Sequence, residues 1–377
     1  MGRTVRQVVN RVVNLSEGKL QLPVLRSYPR YIDIVLTKSC NLKCIFCKDY
    51  ETKGAQKVSL ENFETIARQL FPTAYELRIC SGGEPYLHRG LEDCLRIARR
   101  YSVDTFVLSN GMLLKESRIR RIVREELISR HGFSVDGIKA PTVEAIRVNA
   151  KLDAILSNIQ MLIDVRRKER KETPLLVIYY ALMRSNIEEL PDAVRYWGEA
   201  GIDRVSCNYI SLCNDIDHQE SLYFHQNLAE KIFEDARKTA AHYPHLNLEL
   251  PALIQLDEPL ASKPRQCKAP WNFVFINTDG RILPCYRSWG VLSMGDVYND
   301  TGEPFIKIWN NSKYKKLRKT VNDDNREKYY SYCAKCERRY GRGDLGSHLG
   351  DETWFEHIDL DPSERAKLIE HRKRGGN

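Results

Sequence analysis

Thr37-Lys38-Ser39-Cys40-Asn41-Leu42-Lys43-Cys44-Ile45-Phe46-Cys47-Lys48-Asp49-Tyr50 sets three cysteines close together, at positions 40, 44 and 47. Soft thiolates at this density are metal ligands, and iron–sulfur clusters take them. Three thiolates on a four-iron cube leave one iron open to a ligand that is not protein. A structural zinc site is the alternative. It needs a fourth ligand, and the nearest, Cys80 or His88, lies far along the chain beyond a helix.

Outward from this loop the pattern alternates strand-like and helical runs. Tyr31 to Thr37 reads as a strand that ends at the thiol loop. Ser59 is an N-cap for a helix with Leu60, Phe63, Ile66, Ala67 and Leu70 on one face. There follow strands at Glu76 to Cys80, Thr105 to Leu108, Phe133 to Val135, Leu175 to Leu182 and Arg204 to Ile210. Helices are expected from Leu91, through Arg118 to Ile128, across Leu152 to Val165, and up to Gly201. Six strand-to-helix units imply a parallel sheet with right-handed crossovers, hence an α/β chain built on a partial (β/α)6 TIM-like barrel.

In parallel barrels chemistry gathers at the C-terminal strand ends. The thiol loop follows the first strand, and the second runs into Ser81-Gly82-Gly83-Glu84-Pro85. Two glycines let backbone approach a ligand closely, and Glu84 could accept from a cation. The third strand ends at Leu108-Ser109-Asn110-Gly111 and the fourth at Phe133-Ser134-Val135-Asp136-Gly137.

The C-x3-C-x2-C spacing, with Phe46 before the last cysteine, followed by G-G-E-P at the next strand end, resembles the radical S-adenosylmethionine (radical SAM) superfamily. That resemblance covers residues 31–250. It implies a [4Fe-4S] cluster on Cys40, Cys44 and Cys47 whose open iron chelates S-adenosylmethionine. It also implies Phe46 on the adenine and Gly82, Gly83 and Glu84 around the amino group. Thr142 to Asn158 resembles the helix from which an arginine, here Arg147, reaches the carboxylate; Ser134 and Asn186 are the remaining cofactor candidates.

Beyond a proline-punctuated stretch with Pro251, Pro259 and Pro264 come Cys267, Cys285, Cys333 and Cys336, the last two as C-x2-C. Between them lie a hairpin signal at Asn277 to Gly280 and a helix around Ile308 to Arg318. A zinc ribbon fits C-x2-C as well. The arrangement resembles the twitch form of the SPASM domain, a small α+β unit, which implies one auxiliary [4Fe-4S] cluster with every ligand supplied. Such a cluster would move electrons or act as a staple.

The chain divides into a basic extension (1–30), the barrel (31–250), the twitch/SPASM-like domain (251–345) and a polar tail (346–377). In the extension Val5, Val8, Val9, Val12 and Val13 recur at helical spacing among arginines, as in a helix that caps the main domain or lies on a membrane or partner. The cap is the reading adopted, so a membrane surface is not expected. The formal charge of +9 is scattered over helices as solvated faces, and no nucleic-acid partner is expected. Eleven cysteines without an export signal point to reduced thiols and a cytoplasmic setting.

The resemblance implies one-electron cleavage of S-adenosylmethionine, with electrons from a flavodoxin or ferredoxin, to a 5′-deoxyadenosyl radical that abstracts hydrogen. The expected substrate is a small polar metabolite of sugar or aminocyclitol type. Oxidation follows if the auxiliary cluster accepts an electron, and epimerisation if a thiol returns hydrogen. Cys80 and Cys213 are the candidate catalytic thiols at the barrel mouth, whereas Cys94 and Cys207 read as packing. A ribosomal-peptide-modifying enzyme is the runner-up, and a zinc-binding regulator the alternative of another class. The extension is too short for a winged-helix peptide-binding module.

Overall fold

The computed structural model describes residues 2–47, 54–210, 218–253, 266–288, 292–298, 302–323 and 333. The chain opens with α1 (Val5–Lys19). The barrel then runs β1 (Tyr31–Ile34), β2 (Lys43–Cys44), α2 (Leu60–Leu70), β3 (Glu76–Ile79), α3 (Leu91–Arg100), β4 (Asp104–Ser109), α4 (Glu116–Arg124) and β5 (Arg130–Ser134). It continues with α5 (Ala140–Ile146), β6 (Arg147–Val148), α6 (Leu152–Lys168), β7 (Leu175–Leu182), α7 (Leu190–Ala200), β8 (Arg204–Tyr209), α8 (Gln226–Ala240) and β9 (Asn247–Glu249). The C-terminal part adds α9 (Ala269–Asn272), β10 (Phe273–Ile276), β11 (Arg281–Leu283), β12 (Gly295–Asp296), α10 (Phe305–Trp309) and α11 (Ser312–Thr320).

Ten strands form one sheet in the order β12-β11-β10-β1-β3-β4-β5-β7-β8-β9. From β10 to β9 every neighbour pair is parallel. Helical crossovers require this, and among the described residues β12 and β9 end the sheet without meeting each other, which makes the barrel partial. Two strands exceed the six expected from the sequence. β9 is only three residues of mixed polarity, and β10 belongs to the C-terminal part yet pairs in parallel with β1, Tyr31 opposite Phe273 and Asp33 opposite Phe275.

Alternation along the strands sorts the side chains. Ile32, Ile34, Leu77, Ile79 and Val107 are buried against the helices. On the other face Asp33, Arg78, Phe106 and Arg130 stand in one cross-strand row. Glu76 accepts from Arg78 at 2.5 Å and from Arg130 at 3.1 Å, so charges in this lining are paired. Ser59 caps α2 by accepting from the Asn62 N–H, and Gly201 ends α7 in the left-handed region at φ +86. The segment around Arg147 is not the continuous helix expected. It is broken by β6, which pairs with β2 so that Arg147 lies opposite Cys44.

α1 carries its polar residues inward. Gln7 donates to the carbonyls of Ala74 and Tyr101, Asn10 to those of Tyr28 and Thr73, and Asn14 to that of Trp271. Glu17 accepts from the backbone N–H groups of Arg26 and Ser27. These bonds join loops that precede β1, β3 and β4 to the C-terminal part.

Candidate active site

The thiol loop is held mostly by backbone. The Gly83 N–H donates to the Thr37 carbonyl at 2.7 Å and the Glu84 N–H to the Ser39 carbonyl at 2.8 Å, so the loops after β1 and β3 lie edge to edge. A Cβ on Gly83 would stand 1.9 Å from the Ser39 oxygen, which only glycine avoids. Gly82 has φ +84 and backs onto Val35. Asn110 Nδ2 donates to Asn41 Oδ1 at 2.9 Å, bringing the loop after β4 against the stretch between Cys40 and Cys44.

Glu84 is buried and spends both carboxylate oxygens inside the protein. One accepts from Ser109 Oγ at 2.8 Å and the Tyr86 N–H at 3.1 Å, the other from the Asn110 N–H at 2.8 Å. Burial raises its pKa, against the pull of those donors. Asn186 is likewise committed, donating to the carbonyls of Asp136 and Ala181 and accepting from the Met183 N–H. Ser134 ends β5 beside Tyr179 of β7.

Arg147 places a cation beside Cys44. Its Nη1 donates to Cys44 Sγ at 3.6 Å, its guanidinium carbon lies 5.3 Å from the Phe46 ring centre, and Nε is 2.7 Å from Asp136 Oδ2. Burial alone would lower its pKa, but Asp136 and Cys44 outweigh it, so the charge is retained. A cation–π contact and an ion pair thus fix an arginine beside two of the residues singled out in the sequence.

Among the described residues Cys40, Cys44, Cys47, Cys267, Cys285 and Cys333 are in no disulfide. Cys267 is pinned by Asn322, which accepts from its N–H at 2.8 Å and donates to its carbonyl at 3.2 Å. Cys285 leads into the turn of Tyr286 and Ser288. Cys213 and Cys336 lie outside the described residues. Cys94 and Cys207 are buried within the apolar core.

Cys80 lies just past the end of β3, and its Sγ donates to Asp33 Oδ2 at 3.0 Å. The same oxygen accepts from the Tyr286 hydroxyl, while the other, Oδ1, is buried without a hydrogen-bond partner among the described residues. Burial pushes the Asp33 carboxyl up to about 6, opposed by hydrogen bonds from Tyr286 and Cys80 and by the charge of Arg78. Burial, then the Asp33 charge, hold the Cys80 thiol well above its ordinary range, so hydrogen stays on sulfur. Sequence reasoning singled out Cys80 but missed Asp33 and Tyr286. Asp33 had a signal, a lone acid alternating with Ile32 and Ile34; Tyr286 had none, because only the pairing of β10 with β1 brings it across.

The site described so far is that of a radical SAM protein with an iron–sulfur auxiliary domain. The radical SAM superfamily model matches residues 34–197 and the SPASM model, an iron–sulfur cluster-binding domain, matches 267–337. The chain carries both domains. Its cofactors are S-adenosylmethionine and two [4Fe-4S] clusters; cysteine thiolates are the donors such clusters take, and among the described residues no three ligating side chains are gathered closely enough to hold a metal ion.

Among relatives is the antilisterial bacteriocin subtilosin biosynthesis protein AlbA of Bacillus subtilis, 22% identical over 74% of this chain and 61% of its own. The chain therefore spans less than two thirds of AlbA. An AdoMet-dependent heme synthase of Methanosarcina barkeri is 21% identical over 86% of this chain and 96% of its own. Among solved structures, SuiB of Streptococcus suis superposes with a TM-score of 0.62 at 18% identity, covering 83% of this chain and 72% of SuiB. SuiB bound to its precursor peptide SuiA gives 0.59 at 16%, covering 82% and 70%. No helix among the described residues is long and apolar enough to cross a membrane.

Proposed function

We propose that this chain is a radical SAM enzyme that removes hydrogen from a residue of a peptide and leaves the peptide oxidised. The observation that carries the chemistry is the cluster of Asp33, Cys80 and Tyr286, where β1 and the end of β3 meet the turn that follows Cys285. The peptide class rests on the likeness to SuiB with its precursor peptide and to a bacteriocin biosynthesis protein. Both favour it over the sugar or aminocyclitol substrate expected from the sequence.

When bound, S-adenosylmethionine and its cluster supply a radical that abstracts a hydrogen atom. Cys40, Cys44 and Cys47 would hold that cluster, and Cys267, Cys285, Cys333 and Cys336 the second, which would take the electron left on the peptide carbon as it releases its proton. Arg147, with Phe46 beside it, would set a positive charge at the cofactor's carboxylate, while Gly82 and Gly83 let the loop after β3 close on Val35 and Ser39 and so would shape the seat of its amino end. Ser134, at the end of β5, would be a further contact to the cofactor. Glu84 and Asn186 act one step back, fixing the loops that carry the contacts. Asp33 Oδ1, lacking a partner, accepts the proton an oxidised peptide carbon releases. Cys80, protonated and bonded to the same carboxylate, and Cys213 are the thiols that would return hydrogen were the product an epimer.

The test is anaerobic incubation with reductant, S-adenosylmethionine and short peptides encoded beside the gene, run in parallel with aminocyclitols. Peptide-dependent 5′-deoxyadenosine and a peptide lighter by two hydrogens are expected. Stimulation by an aminocyclitol alone would sink the peptide reading.

A further inference from the structure

α1 is turned inside out relative to an ordinary domain-capping helix, whose apolar stripe faces the core. Of the twelve exposed large apolar residues among those described, eight lie between Val5 and Val24. Val5 is 80% exposed, Val9 55%, Val12 60% and Leu20 68%. On the helix Val5, Val8, Val9, Val12 and Leu15 share the face opposite the buried Gln7, Asn10, Asn14 and Glu17. Arg6 and Arg11 border that stripe on its two sides, Lys19 closes its end, and the helix's only carboxylate, Glu17, is buried and bonded. Polar anchors hold the helix in place, so its apolar face owes nothing to the fold and is free for contact.

We propose that α1 and the segment running to Val24 form a docking face for an anionic lipid bilayer, with the helix lying in the interface plane. Aliphatic side chains on one exposed helix face, edged by cations and with no outward acid on the helix, match a negatively charged interface. The helix packs against loops that precede β1, β3 and β4. Docking there leaves the opposite end of the barrel, where the thiol loop lies, turned away from the lipid. The cap expected from the sequence is realised, but by the polar side chains rather than the valines.

The experiment is flotation of the cluster-loaded full chain with vesicles of phosphatidylcholine alone or mixed with phosphatidylglycerol. Wild type should float with the mixed vesicles and remain behind with the neutral ones. V9Q/V12Q should weaken partitioning about tenfold or more, and R6Q/R11Q roughly fivefold per charge removed. Glutamine is a better helix former than valine, so the first variant keeps its helix, and unchanged iron content and S-adenosylmethionine cleavage would confirm folding. Wild type that floats with neither vesicle overturns the proposal. So does flotation unaffected by V9Q/V12Q, or a wild-type dimer in sedimentation that this variant makes monomeric, which would assign the face to a second copy of the chain.

Discussion

The two thiol sites are built in opposite ways. Cys40, Cys44 and Cys47 sit in one stretch, and its partners are the loops following neighbouring strands β3 and β4 together with β6, just beyond β5. Cys267, Cys285 and Cys333 come from distant points of the sequence, the first before and the others after a strand, β10, added to the edge of another domain's sheet. A site made of consecutive strand ends can be read as a string of short motifs. One assembled by long-range pairing cannot, and its contribution to the barrel lining, Tyr286, appears only in three dimensions.

The contrast predicts separable losses. Replacing Cys40, Cys44 and Cys47 with Ala should abolish S-adenosylmethionine cleavage and reduce iron from about eight atoms to about four. Replacing Cys267 and Cys285 should cost the same iron but leave cleavage measurable while stopping product formation. Equal loss of cleavage in both variants, read as 5′-deoxyadenosine, would break the comparison.

A substitution at the seam between the first two strand-end loops comes next in size. Gly83→Val must displace the Ser39 backbone, and overpacking of this kind costs about 1–3 kcal/mol. S-adenosylmethionine should bind about ten- to a hundredfold more weakly in equilibrium titration, with cluster content intact. Unchanged affinity would mean that the two loops do not shape the cofactor's seat.

Arg147→Met leaves the fully buried Asp136 without its cation, which costs on the order of 3–5 kcal/mol for such pairs. Denaturation of the cluster-loaded protein should show a lowered midpoint, together with weaker cofactor binding. A midpoint equal to wild type would show that the pair contributes nothing to holding β6 on the thiol loop.

The smallest effect tests the contact between the barrel and the C-terminal part at Asp33 and Tyr286. With its pKa raised from 3.8 to about 6 in the folded protein, Asp33 binds more protons there than in the unfolded chain. Its contribution to stability is therefore full below about pH 4 and is lost as pH rises through about 6. That loss is on the order of 3 kcal/mol at most. Activity should run the other way, rising through pH 6 as the carboxylate becomes able to take a proton. Asp33→Asn should flatten both slopes, and a rate profile identical to wild type would remove Asp33 from the reaction.

How much was legible follows local physics. Ser59, Gly201 and the eight-residue strand Leu175–Leu182 stood out because caps and β-branched runs are local signals. β5 was placed late, at Phe133, because Arg130, His131 and Gly132 are poor strand formers. Gly132 sits there because a side chain would strike Tyr179 at 2.7 Å. Periodicity located the α1 helix but not its orientation, since valines at helical spacing look the same whether they face the core or the solvent. Arg147 was expected on a helix because the flanking stretches are helical, and its two-residue strand is imposed by Cys44 across the pair.

The parallel seating of β10 on β1 has a consequence for the chain's integrity. A half-open barrel ends in a row of unpaired amides and carbonyls, an invitation to sticky assembly with other strands. Here the auxiliary domain supplies the sheath for that rim. Cut the chain before Ala269, and β1, the strand leading into the thiol loop, becomes a bare edge, so a barrel expressed without its companion should clump before it can be loaded with iron.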